Sequence, residues 1–169
     1  MSGALLVAAL LLAGAGIAKA WRPHDTARAL RRAGLPVGRG ATVVRVGAVV
    51  EILVGLAAMA VGGPLPALGV AASYGAFAVF LALALGRGWA LSSCGCFGEP
   101  DTPPTPLHLV LDVALAAGAA IAASSRRAPL AEAASRPLWG AGLVSLSVIT
   151  AGLLYLVMAR LPRLKVVPA

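Results

Sequence analysis

Four stretches of this chain, residues 3–20, 43–62, 65–85 and 138–159, reach or nearly reach the ~18 apolar residues that mark a membrane-spanning helix. A fifth, 107–124, is interrupted by Asp112 yet long enough to follow them. The fold class this predicts is an all-α integral membrane protein with five transmembrane helices. Composition agrees. The chain is 60% hydrophobic and 12% charged, where a soluble domain carries about a quarter charged residues. The 169 residues allow one domain. The first segment has no Lys or Arg before Lys19 and reads as an uncleaved helix rather than a leader.

The net charge of +8 does not point to nucleic acid, because the basic residues gather at helix ends, where they anchor and orient membrane helices. The stretch from the end of the first span to the start of the second holds Lys19, Arg22, Arg28, Arg31, Arg32, Arg39 and Arg45. Arg87 follows the third, and Arg160, Arg163 and Lys165 end the chain. In a five-span topology these eleven share one side, against Arg126, Arg127 and Arg136 on the other. The positive-inside rule then puts the loop after the third span at the cytoplasmic face and the N-terminus outside.

The connections have distinct characters. Residues 24–34 set Ala27, Leu30 and Ala33 against Arg28, Arg31 and Arg32, the pattern of a short basic amphipathic helix on a membrane surface. Gly62-Gly63-Pro64-Leu65-Pro66 is a tight turn between antiparallel helices. Residues 99–106 hold Pro100, Pro103, Pro104 and Pro106, which exclude a helix there and form a stiff strap. Trp21, Trp89 and Trp139 fall at span ends, as an aromatic belt requires.

Cys94 and Cys96 are the only two cysteines, one residue apart in Ser93-Cys94-Gly95-Cys96-Phe97-Gly98. Two thiols at this spacing can close a small strained ring, with Gly95 supplying backbone freedom. Strained, exposed disulfides are the oxidising, labile ones. Exchange needs a thiolate, which a nearby positive charge or helix N-terminus favours. Arg87 precedes the pair and the fourth span follows it. A metal site would combine Cys94 and Cys96 with His108 and Asp112, an uncommon ligand pattern. A purely structural role for two loop cysteines is the third reading.

Glu51 lies within the second span, where a carboxylate is costly unless partnered and marks a functional candidate. Lys19, at the end of the first helix, is the expected partner, in a structural pair or a proton relay. His108 and Asp112 are one helical turn apart on one face, His108 by itself being an interfacial residue. Lys19, Glu51, Arg87, His108 and Asp112 are thus the expected supporting polar site beside the cysteines.

In order along the chain come Gly-Ile-Ala-Lys (Gly16–Lys19), Gly-Leu-Pro (Gly34–Pro36), Glu51, Cys-x-Cys-Phe-Gly (Cys94–Gly98) and Leu-Asp-Val-Ala-Leu-Ala (Leu111–Ala116). This series resembles the MauE branch of the DoxX-like membrane proteins, a family named from methylamine utilisation. The family typically carries Arg-Asn where this chain has Leu111-Asp112. The resemblance implies a DoxX-like four-helix transmembrane bundle over residues 3–124, with the Cys-x-Cys loop at 87–106. Residues 125–169 then form a connecting loop, a fifth C-terminal transmembrane helix and a basic tail. It also implies a membrane thiol–disulfide redox role with a thioredoxin-like partner, supporting disulfide formation in a client. The alternative is a non-enzymatic membrane scaffold or a carrier that binds a small molecule or metal. No quinone, haem or flavin motif is visible, and a quinone would require an apolar cleft near the cysteines.

Overall fold

α1 (Ser2–Trp21) runs through the centre of the molecule. Leu5, Leu6, Val7, Ala8 and Ala9 are buried in succession. At 3.6 residues per turn, five consecutive buried positions cover every direction around a helix. The computed structural model describes residues 2–32, 34, 40–88, 105–125 and 127–159, and their regular structure is entirely helical. Around α1 stand α3 (Gly40–Ala60), α4 (Pro64–Gly86), α5 (Pro106–Ala122) and α7 (Pro137–Ala159). Two short helices, α2 (Pro23–Arg32) and α6 (Pro129–Ser135), complete the order. α1, α3, α4 and α7 are each long and apolar enough to cross a membrane, and α5 is an apolar helix of 17 residues. The chain is a multi-pass membrane protein.

The outer helices sort their residues by size rather than polarity. α3 buries Gly40, Val44, Ala48, Gly55, Ala58 and Met59 and turns Val46, Val49, Val50, Leu53 and Leu56 outward. In lipid a large apolar side chain loses nothing by facing out, and small residues inside let backbones approach. Two glycines do this between α1 and α3. A Cβ on Gly16 would stand 2.7 Å from the Ala48 carbonyl oxygen, and one on Gly55 2.8 Å from that of Ala9. The paired levels, Gly16 with Ala48 and Gly55 with Ala9, show the two helices antiparallel.

The remaining helices alternate in the same way. Gly3 at the start of α1 faces Leu143 near the start of α7, so these two are parallel. His108 at the start of α5 meets Met158 at the end of α7, while Gly118 lies against Ala4. α5 is therefore antiparallel to both α1 and α7. α4 packs chiefly on α5, and α1 chiefly on α3. One end of the bundle collects the C-terminal ends of α1, α4 and α7 with the N-terminal ends of α3 and α5.

The opposite end is closed by a part of the chain that the sequence pattern read only as a loop. α6 packs on α7, where Gly140 allows the Ala133 carbonyl to sit directly against the helix. The Ser2 hydroxyl donates to Glu132. Gly62 and Gly63 adopt φ of 67° and 84°, the left-handed region that favours glycine. Gly62 also lies so close to Arg127 and Ala128 that a Cβ would come within 2.6 Å of that backbone. The expected tight turn is thus present, and Pro64 begins α4 at its first turn, where a missing N–H costs nothing. The expected amphipathic segment is α2, with Arg28 paired to Asp25 and Ala27 buried.

Candidate functional site

Lys19 reaches the bundle interior from the last turn of α1, and its side chain is only 5% exposed. Its Nζ lies 2.6 Å from Oε1 of Glu51, which projects from the middle of α3. The same ammonium sits 4.3 Å from the ring centroid of Phe77 on α4. One cation therefore joins three helices through an ion pair and a cation–π contact. Gly16 makes this possible. A Cβ there would crowd Glu51 as well as Ala48, so only glycine lets α3 approach closely one turn before Lys19. Oε2 of Glu51 is buried and accepts no hydrogen bond among the described residues.

Phe77 is held by its neighbours. Tyr74, one turn earlier, meets its ring edge-on, with centroids 6.0 Å apart and planes at 89°. The Tyr74 hydroxyl donates to the Ala8 carbonyl in the centre of α1 at 2.9 Å. On its other side Phe77 borders a small cavity that it shares with Leu11, Tyr74, Asp112, Leu115 and Met158. Asp112, 1% exposed, is placed there by the second turn of α5.

His108, in the first turn of the same helix, is equally buried within the protein. Its Nε2 is 2.9 Å from the Met158 carbonyl and its Nδ1 2.8 Å from Oγ1 of Thr105. A carbonyl only accepts, so Nε2 carries the hydrogen, and in the neutral ring Nδ1 accepts from the Thr105 hydroxyl. Thr105 precedes the helix and Pro106 opens it. His108 thereby fastens the start of α5 to the end of α7.

Of the residues the sequence singles out, Lys19 and Glu51 meet directly. Asp112 and His108 share the Met158 region, and Phe77 borders both groups. Arg87 caps the C-terminus of α4 and is exposed. Cys94 and Cys96, with the proline strap at 99–104, lie outside the described residues. Gly88 and Thr105, the described residues nearest them in the chain, lie at the end of the bundle that holds the polar network. Among the described residues no three His, Asp or Glu side chains converge as metal ligands would. Phe77, Tyr74 and Met158 carried no signal in the sequence, being apolar or aromatic positions in apolar helices. Thr105 could have been found from its place three residues before His108, ahead of a helix-opening proline.

Residues 2–125 match a family model described as Methylamine utilisation protein MauE. No curated protein and no solved structure matches the chain.

Proposed function

The chain belongs to the MauE family, and from that premise we propose that it is a membrane thiol–disulfide redox protein. Residues 3–124 form the DoxX-like bundle, α5 crosses as its fourth span, and residues 125–169 add the connection, a fifth span and a basic tail. At 17 residues α5 is about 25 Å long, at the short limit of a bilayer crossing. Cys94 and Cys96 are the reacting pair. In the oxidising direction, a thiolate of a thioredoxin-like partner attacks the Cys94–Cys96 disulfide and forms a mixed disulfide. The partner's second thiolate then attacks the partner sulfur of that mixed disulfide and expels this chain's cysteine as a thiolate, leaving the partner oxidised and Cys94 and Cys96 reduced. Two electrons pass into the chain, and the process can be linked to methylamine utilisation through the client.

The observation that supports this reading is the placing of the buried charges. Lys19 and His108 lie at the end of the bundle where α4 stops and α5 starts, Asp112 lies one turn further in, and Glu51 reaches Lys19 from the middle of α3. Intramembrane ionisable groups are costly and tend to mark functional paths. Here Lys19 and Arg87 supply positive charge that favours a thiolate, and Glu51 and Asp112 hold protons released or taken up in exchange.

A redox titration of the purified protein against defined thiol buffers, with alkylation of free thiols, tests the proposal. The expected result is a reversible two-electron couple that either Cys94→Ser or Cys96→Ser abolishes, both variants still inserting in the membrane. A Cys94→Ser/Cys96→Ser protein with full activity in a complementation assay would exclude the redox role.

A further inference from the structure

α1 and α7 run parallel, yet over their C-terminal halves they do not close on each other. A groove of about 580 Å³ lies between them. That volume is within the ~300–1,000 Å³ of small-molecule sites. Its walls are apolar, with Ile17 and Val148 at its sides, and both are about half exposed on the flank of the bundle. Gly14 and Gly152 also line it. Unlike Gly16 and Gly55, these glycines serve no close packing, since a Cβ on either would meet nothing within 4 Å. Trp21 and Arg22 stand at the end of the groove where α1 terminates. Trp21 is 85% exposed, and Arg22 forms no ion pair among the described residues.

We propose that this groove holds an acyl chain of an anionic phospholipid whose phosphate is bound by Arg22. The charge selects the ligand. A guanidinium at the membrane interface recognises phosphate through paired N–H donors, and Trp21 is suited to the headgroup level. The acyl chain replaces the helix contact that Gly14 and Gly152 do not make. A neutral isoprenoid ligand would fit the walls but leave the arginine unanswered. The site is independent of the thiol chemistry, since it uses neither the cysteines nor Lys19 or Glu51.

Native mass spectrometry of the full chain in detergent, with dioleoyl phosphatidylglycerol and dioleoyl phosphatidylcholine as probes, tests it. One basic residue near the surface is worth about fivefold in anionic-lipid affinity. The parent should retain one phosphatidylglycerol with about that preference, and Arg22→Gln should bring the two lipids to parity. Gly14→Leu should strip retention of both while the melting temperature holds, because the new side chain enters open space. Equal retention of the two lipids by the parent, a preference that survives Arg22→Gln, or retention that survives Gly14→Leu would each overturn the proposal. So would displacement of phosphatidylglycerol by a long-chain benzoquinone at lower concentration. Loss of a dimer with Gly14→Leu, lipid retention being unchanged, would assign the groove to a second copy of the chain.

Discussion

Lys19 is the residue on which the most interactions depend, because its ammonium answers a carboxylate and an aromatic face at once. Removing one partner of a buried pair leaves the other charge uncompensated, at a cost of about 3–5 kcal/mol. Lys19→Met is therefore expected to lower thermal stability strongly. Glu51→Gln keeps the shape, and its amide oxygen can still accept from Nζ while Phe77 keeps its contact. That variant still leaves the ammonium without a counter-charge, so it should lose stability, though less than Lys19→Met. If Glu51 serves the cysteines, as proposed, its thiol alkylation rate against pH should also shift. Unchanged thiol reactivity together with the loss of stability would leave Glu51 a structural partner of Lys19 and remove it from the site. Measuring both quantities on one preparation decides the matter. The Tyr74 hydroxyl is a smaller contributor. Tyr74→Phe should cost about 0.6 kcal/mol, typical of a hydrogen bond within a membrane bundle. The sequence offered Glu51 and Lys19 as a pair because charges in apolar segments are conspicuous. It could not offer Phe77, whose role depends on which face of α4 turns inward, and an apolar helix in lipid gives no polarity to read that from.

At the scale of elements, α1 and α3 are held together by backbone approach at Gly16 and Gly55. Overpacking a tight contact costs about 1–3 kcal/mol. Gly16→Ala should fall in that range, and it should also part Glu51 from Lys19, since both lie within a turn of the contact. Gly47 on the same helix pair faces outward, with nothing near a built Cβ. Gly47→Ala should be neutral or stabilising by up to about 1 kcal/mol, the helix-propensity gain over glycine. Equal losses at both positions in a thermal or chemical unfolding assay would mean that the close approach is not what glycine provides at residue 16. The long helices were legible because length and apolarity are local properties; 43–62 and 138–159 differ from α3 and α7 only by a few terminal residues. α6 was not legible. Seven residues bury too little to form a helix alone, and Pro129–Ser135 is fixed by Gly140 of the next helix and by Ser2 and the Gly62 turn, which lie far away in the chain.

For the whole molecule, the alternation of α1, α3, α4, α5 and α7 sets two ends apart. The start of α3, the start of α5 and the end of α7 share one end; the Gly62–Gly63 turn and α6 share the other. Sequence counting reached the same partition only by assuming that the stretch at 107–124 crosses. The antiparallel contacts of α5 with α7 and α1 now support that assumption, since His108 and Gly118 touch opposite ends of their partners. The partition does not by itself orient the bundle; charge does. If the chain crosses five times, eleven basic residues fall on the side of the cysteines and three on the other, and on the positive-inside rule we propose that residues 89–104 face the cytoplasm. Labelling with a membrane-impermeant thiol reagent tests this on the intact chain. Cys94 and Cys96 should be protected in whole cells and labelled once the membrane is opened. In a Cys94→Ser/Cys96→Ser background, Ser124→Cys, at an exposed position beyond the far end of α5, should label in whole cells. The reversed pattern would invert the orientation and put the redox pair on the side of an exported client. Labelling of both positions from the same side would mean that α5 does not cross, and the five-span topology would fall with it.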